Sequence, residues 1–555
     1  MTPEWTDLGP ADLADGALEL RKTAAGARLL VLSDGGELRA FDDRCPHEGY
    51  PLSQGSLRNG ELTCAWHNWK FDVCSGACTT GGDAVRRYPT RVREARLEVD
   101  VAIDAEAEAD KAAAGIAAGL FENDPSRAVR DGLRLAALPG RSMSSAFAVL
   151  AVDAARRHRW GFGHELAALA DLLTWVDAGD LDEVEALTLA ATWIGARLTR
   201  EPARPAPPPA VARSTGEAIT RMLEDEDIPG AEGAVRALVR TDGVDAALQS
   251  LLPFVASHLL DYGHGAIYLA KAHALAQRLP DAAEELMAAV AVTLGWGTRE
   301  SSLPPWAATR RALDAVGALG RGDARLEDRA AYEAALLEGE GPAVHATLAR
   351  LEAAVAVPDL AVAIAHAASE RLSRFDPALA DRLDLDASIL DVSHLVTHAE
   401  AVIALLPSAA PRDAARLLVL SAGFVGKLAA ADRAVDRDSP ATKGTVEDLV
   451  AAVRSRDIDT ARAYARGLDP DARNLAFTRL RDFAAHDAFV RPIFAIHAVK
   501  GLEALRRLHA RDPSPRHLVA FAELAVRRWP ERSARRTAAT ARKFLADGKP
   551  PRGLY

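Results

Sequence analysis

The sequence predicts a multidomain α and β protein, with a small all-β domain followed by a large all-α one. Three observations lead there. Short β-type runs bounded by Gly and Asp fill residues 1–103, among them "ARLLVLS", "ELRAFDD", "WKFDV" and "ARLEVDV". Beyond residue 103, Ala, Leu, Arg and Glu dominate and apolar residues recur at helical spacing, as in "ELAALADLLTWV", "AIYLAKAHALAQRL" and "ARLLVLSAGFVGKLAAA". A length of 555 residues is enough for more than one buried core.

The β part carries all four cysteines of the chain. Cys45-x-His47 is followed, after sixteen residues, by Cys64-x-x-His67. Two Cys-His pairs on two loops fit either a zinc site or a [2Fe–2S] cluster with two histidines on one iron. Several details favour the cluster. Pro46, Gly49 and Gly55 suit tight loops around a wide, flat group, and Trp66 with Trp69 can shield it from water. The flanking segments read as strands, whereas a zinc finger would supply a helix.

The C-x-H, spacer, C-x-x-H pattern, with the strand Trp69-x-Phe71-Asp72 behind it, closely resembles the Rieske family over residues 1–103. The resemblance implies Cys45 and Cys64 as thiolate ligands of one iron and neutral His47 and His67 on the other. Histidine ligation raises the potential above that of an all-cysteine cluster. Respiratory Rieske proteins tie their cluster loops with two further cysteines. Tyr50 and Trp66 stand in those places here, so that disulfide is not expected, and the module looks like the ferredoxin type that feeds electrons to oxygenases. Cys74 and Cys78, in "DVCSGACTT", read as reduced structural thiols.

Composition narrows the setting. Four cysteines, two of them committed to a cluster, leave no disulfide framework, which points to a reducing, cytoplasmic compartment. The first twenty residues lack the basic and apolar regions of a signal peptide, and no run of eighteen apolar residues predicts a membrane span. A net charge of −11 argues against nucleic acid as the main partner. The locally basic stretch "RRWPERSARRTAATARKF" reads as a solvated helix face, with partner docking as the other reading. An oligomer is compatible with all of this.

Residues 104–125 read as a helical linker, and residues 126–555 as the all-α domain, interrupted by a Pro-rich extended loop at 201–214. Four histidines of this domain occur in suggestive settings: His164 in "GHELAALADLL", His264 in "YGHGAIYLAKA", His394 in "SHLVTHAEAV" and His497 in "AIHAVKGLEAL". Their wide separation suits separate helices that each supply one ligand to a central metal. A competing constellation, Asp391-x-x-His394-x-x-x-His398, puts a carboxylate and two imidazoles on one side of one helix and mimics the two-histidine, one-carboxylate iron triad. His394 is favoured as ligand and His398 as its neighbour, with His258 in reserve. The other histidines read as structural.

These segments resemble the questin oxidase-like family, helical oxygenases of aromatic polyketides such as anthraquinones. The family pattern H-x-L-x-x-L matches from His164, G-H-x-x-I-x-L-x-x-A from Gly263, H-x-x-T-x-A-x-A-V from His394, and H-x-x-K is His497 with Lys500. Some members hold a mononuclear non-haem iron on four histidines and a carboxylated lysine. The resemblance therefore implies His164, His264, His394, His497 and Lys500 as the ligand set. His497 and Lys500, three apart, share a helix face, and a desolvated lysine has the neutral amine that carbon dioxide needs. The alternative is an ordinary surface lysine. A fused Rieske module departs from the family pattern.

The expected function is a Rieske-fused non-haem iron oxygenase that oxidises an aromatic or quinone-type substrate with O2, by oxygen insertion or C–C cleavage. Electrons would come from NAD(P)H through a separate reductase or ferredoxin, because no Gly-rich dinucleotide fingerprint stands in a strand–turn–helix setting. Tyr262, Tyr268 and Trp296 are candidates for the pocket wall. The rival expectation is an electron-transfer protein whose helical part is a metal-free scaffold or docking domain.

Overall fold

The structure is a computed structural model that describes residues 3–47, 49–80, 82–205, 214–317, 322–382, 388–433, 440–486 and 491–526. Most of the Pro-rich loop and all of the basic C-terminal stretch lie outside the described residues. The chain divides into two compact units, Met1–Ala112 and Ala113–Tyr555.

The first unit is built of ten strands: β1 (Trp5–Pro10), β2 (Leu18–Lys22), β3 (Arg28–Asp34), β4 (Glu37–Asp42), β5 (Ser56–Arg58), β6 (Glu61–Thr63), β7 (Lys70–Asp72), β8 (Arg87–Tyr88), β9 (Thr90–Arg93) and β10 (Arg96–Asp100). They form three antiparallel sheets, in the orders β1-β10-β9, β2-β3-β4-β8 and β5-β6-β7. The run "LLVL" in β3 is apolar without interruption because both of its faces are buried. Leu30 and Leu32 face a core shared with Phe41, Leu62 and Phe71, while Leu29 and Val31 face a second core with Ala40, Leu97 and Val99. Pairing Leu30 with Phe41 and Val31 with Ala40 sends partners to the same side, as the two-residue period of a strand requires. Cys45 and Cys64 belong to the first of these cores.

Among the described residues the named elements of the second unit are all helices, apart from isolated β-bridges such as Leu260 with Arg299, and 22 α-helices are described in the chain. The segment expected as a linker, residues 104–125, contains the helix Ala105–Glu122. Its second half is not a free tether, since Ile116 and Leu120 are buried. Four helices position the candidate site: His164–Asp177, His264–Arg278, Ile389–Leu405 and Pro492–Arg511. Each packs against two of the others, so that they close into a ring. Two stretches, Ile389–Ser408 and Pro411–Ala431, are long and apolar enough to cross a membrane by length and composition. Of these windows 72% and 78% is buried inside the fold, as for core helices.

Candidate functional site

Two sites emerge, one in each unit. In the β unit both cysteine loops close in the same way. The Cys45 N–H donates to the Tyr50 carbonyl at 2.8 Å, and the Cys64 N–H to the Trp69 carbonyl at 2.8 Å. Gly49 takes φ +79° inside the first loop, a conformation that suits glycine. A Cβ at Gly55 would lie 2.3 Å from the Thr63 carbonyl, so only glycine lets β5 approach β6 there. Asp43 anchors the base of the first loop by accepting from the Ser53 N–H at 2.7 Å and from Arg28 at 2.9 Å.

Both cysteines are buried, and none of the four in the chain forms a disulfide. His47 and His67 meet edge to face with ring centroids 4.6 Å apart. Two aromatic stacks cross between the loops: His47 on Trp69 at 4.6 Å and Tyr50 on Trp66 at 4.2 Å. Trp69 is half-buried and packs against the core that holds Cys45 and Cys64. Trp66, the other residue expected to shield the cluster, is 55% exposed and spends one face on Tyr50. Two buried thiols beside two adjacent imidazoles, on loops closed by their own backbone, suit a [2Fe–2S] cluster in donor type and number. Cys74 is exposed and lies 3.8 Å from the Arg39 guanidinium, while Cys78 contacts the Thr80 hydroxyl.

In the helical unit, His164 and His264 each open a helix behind a glycine, Gly163 and Gly263. His394 and His497 project from helix interiors. The ring of helices brings all four together. His164 Nε2 and His264 Nε2 are 3.0 Å apart, and His394 Nε2 and His497 Nε2 are 3.2 Å apart. The centroids of His264 and His394 are 4.4 Å apart, and those of His164 and His497 4.9 Å. One ring nitrogen each of His164, His264 and His394 falls within a common 4.8 Å. His497 Nδ1–H donates to the Ile493 carbonyl at 2.7 Å, which leaves Nε2 with a lone pair directed at His394. Tyr268 Oη lies 2.8 Å from His164 Nδ1, a hydrogen bond that fixes the orientation of that ring.

Burial above all, with the nearby Lys500 and neighbouring histidines adding to it, holds the imidazoles of His164, His394 and His497 well below their ordinary range, and His264 at about 3. Lys500 is 0% exposed, its Nζ has no hydrogen-bond partner among the described residues, and burial draws its amine down to about 7. The result is a group of neutral imidazoles whose Nε2 atoms face one another in two close pairs. A cation suits such a group. The N-termini of two helices also end here, and their dipoles favour an anionic ligand beside it.

The reserve residues go elsewhere. Asp391 caps its own helix, with a carboxylate oxygen 2.7 Å from the Ser388 N–H. His398 donates from Nδ1 to the Gly263 carbonyl at 3.3 Å, behind His264. His258 pairs with Glu224 at 2.8 Å.

Sequence reasoning reached the site only in part, and three features go beyond it. First, a pocket of about 420 Å³ opens beside His164 and His264; its wall contains the three expected residues Tyr262, Tyr268 and Trp296, and also Trp160 and Phe162, which the sequence did not single out, with His158, Arg197 and Asp261 among its polar residues. Trp160 and Trp296 meet edge to face at 5.3 Å and are 40% and 57% exposed. Second, two turns along the same four helices lies a buried ionic layer. Lys271 bonds Asp171 at 2.7 Å and pairs with Glu400 at 3.3 Å, while Arg507 bonds Glu400 at 3.0 Å and Glu503 at 2.8 Å. Its only sequence signal is a charged residue six or seven positions after each histidine. Third, His264 follows three consecutive residues in the left-handed region, Asp261 (φ 45°), Tyr262 (φ 57°) and Gly263 (φ 83°). For residues other than glycine this conformation costs about 1–3 kcal/mol each and persists only where the surroundings impose it.

A family model for the Rieske [2Fe-2S] domain matches residues 5–90. The ferredoxin component of the naphthalene 1,2-dioxygenase system of Pseudomonas putida is 30% identical over 104 residues, which cover 99% of that protein and 18% of this chain. A 4beta-methylsterol monooxygenase of Methylococcus capsulatus is 47% identical over 62 residues, 16% of that protein and 11% of this chain. Pheophorbide a oxygenase of Arabidopsis thaliana is 56% identical over 77 residues, 14% of that protein and 11% of this chain. The chain thus spans nearly the whole ferredoxin and less than a fifth of either oxygenase. Through this N-terminal segment the chain belongs to the Rieske [2Fe-2S] domain family.

Proposed function

We propose that the chain is a Rieske-fused non-haem iron oxygenase of the questin oxidase-like kind, acting on an aromatic or quinone-type substrate. Cys45, Cys64, His47 and His67 would hold the [2Fe–2S] cluster; His164, His264, His394 and His497, with Lys500, would hold a mononuclear iron. When bound, the cluster supplies single electrons and the iron supplies O2 activation. The observation that carries the reading is the convergence of four neutral imidazoles from a closed ring of helices, beside a buried amine and an aromatic-walled pocket.

The residues divide the work. The wall formed by Trp160, Phe162, Tyr262 and Trp296 takes a planar ring by stacking and edge contacts, and Arg197 and His158 suit an oxygen substituent on it. Tyr268 holds His164 in one orientation. Lys500, half of it neutral near pH 7, is the amine that carbon dioxide can carboxylate, which would bring a negative charge to the donor set. The two reducing equivalents per O2 would come from NAD(P)H by way of a separate reductase or ferredoxin in a reducing compartment.

Iron analysis with EPR on the full chain tests the reading. The oxygenase needs about three irons and a mononuclear ferric signal beside the Rieske spectrum. A protein that is fully loaded in the cluster and holds two irons only would be the electron-transfer protein with a metal-free helical part.

A further inference from the structure

The turn before His264 is over-determined by residues that stand outside the pocket. Three consecutive left-handed residues are not a conformation that the chain keeps unaided. Tyr262, a bulky residue at φ 57°, is the least suited of them. The Tyr262 N–H donates to Glu300 Oε2 at 2.8 Å, and Glu300 is 3% exposed and does not line the pocket. Asp261 is pinned at both ends: its N–H donates to the Thr298 carbonyl at 3.1 Å, and its carboxylate accepts from the Thr298 N–H at 2.9 Å. On the opposite side, a Cβ on Gly263 would lie 2.6 Å from His398 Nδ1. The turn is thus clamped between segment Thr298–Glu300 and His398.

The clamp has two products. His264 is set as the first residue of its helix with its ring 3.0 Å from His164. The Tyr262 ring is set in the pocket wall, 6.2 Å from the His394 ring. We infer that Glu300 is a positioning residue, whose hydrogen bond from the Tyr262 N–H holds His264 and Tyr262 in the geometry of the metal pocket. This inference rests on the proposed metal function for its consequence, though not for the clamp itself. The physical reason is that a left-handed Tyr262 persists only where its surroundings impose it, and the Glu300 carboxylate accepts the N–H of that residue.

The test uses the full chain with its cluster loaded and the second site metal-free, with Co2+ alone as probe. Glu300→Ala removes the acceptor, Glu300→Gln keeps an oxygen that can accept the Tyr262 N–H, and Glu300→Asp withdraws it by one methylene. Far-UV circular dichroism checks the helical fold, and if Glu300→Ala fails to fold, Glu300→Asp replaces it. The expected result is Co2+ binding about 10–100-fold weaker in the Ala or Asp variant, the range seen when partners of metal ligands are lost. The visible cobalt spectrum should shift as well. The Gln variant should stay within a few-fold of wild type. Amide hydrogen exchange of Tyr262 and His264 should quicken about tenfold or more in the weakened variant alone. Wild-type affinity or wild-type exchange in that variant overturns the inference, and so does a Gln variant as impaired as the Ala variant. If the wild-type chain takes up no Co2+ at the second site, the proposed metal function falls, and the exchange measurement alone decides whether Glu300 holds the turn.

Discussion

Replacing Lys500 by Met should stabilise the metal-free protein, and by an amount that depends on pH. Burial is the main cause of the low pKa of Lys500, helped by the charge of Lys271 and opposed by Asp171. In the unfolded chain the amine titrates at its ordinary 10.5 and in the fold at about 7. Below pH 7 both states carry the charge, and the fold bears the full penalty of burying it. A difference of 3.5 units corresponds to about 5 kcal/mol. As pH rises from 7 toward 10.5 the unfolded chain holds more protons than the folded one, so stability climbs and the penalty fades. At pH 9 about 2 kcal/mol of it remains. Lys500→Met removes this term entirely, and any change in packing is the same at both pH values. The gap in unfolding free energy between variant and wild type should therefore shrink by about 3 kcal/mol between pH 6 and pH 9. The depressed histidines contribute to both proteins and largely cancel. The assay is urea unfolding followed by far-UV circular dichroism, on metal-free protein in buffer purged of carbon dioxide. A gap that stays constant with pH would refute the idea that the buried amine is the source of the strain, and with it the route to a carboxylated lysine.

Other outcomes follow from the same geometry. Replacing Cys45, Cys64, His47 or His67 should abolish the Rieske-type EPR spectrum, while Cys74→Ser and Cys78→Ser should leave it nearly unchanged; loss of the cluster in Cys74→Ser would show that the ligand assignment is wrong. Thiol titration of denatured, unreduced protein should find no disulfide. His394→Ala should empty the second metal site and stop turnover while the cluster spectrum persists, and a variant that still holds its third iron would defeat the four-histidine model. Tyr50→Ala should weaken the contact between cluster loops by about 0.5–1.5 kcal/mol, the worth of an aromatic pair, and should be read as faster loss of the cluster's visible absorption in mild denaturant.

The division into a β unit and a helical unit was legible because periodicity changes abruptly near residue 103, and strands β3, β4, β7 and β10 carry clear apolar runs. The remaining six strands are short or polar and gave no comparable signal. The cluster residues were legible because their spacing is specific. The histidines could be named one by one, yet their convergence depends on how four helices pack, which no single helix encodes. Asp391 shows the limit: at helical spacing from His394 it looked like a ligand, but an acidic residue three positions after Ser388 also completes a helix cap, and the cap prevailed. Glu300 and the ionic layer were out of reach for a related reason. Buried charges carry no periodic signature, and the partners of the ionic layer on other helices lie a hundred or more positions away.

The crossed aromatic stacks of the β unit have a chemical consequence. Each loop lends one ring to the other, His47 to Trp69 and Trp66 to Tyr50, so the two loops are latched reciprocally by contacts that contain no sulfur bond. A disulfide latch forms only where the compartment oxidises thiols, and strong reductants open it. Stacked rings take no part in thiol–disulfide exchange, so this latch closes equally well under oxidising and under strongly reducing conditions.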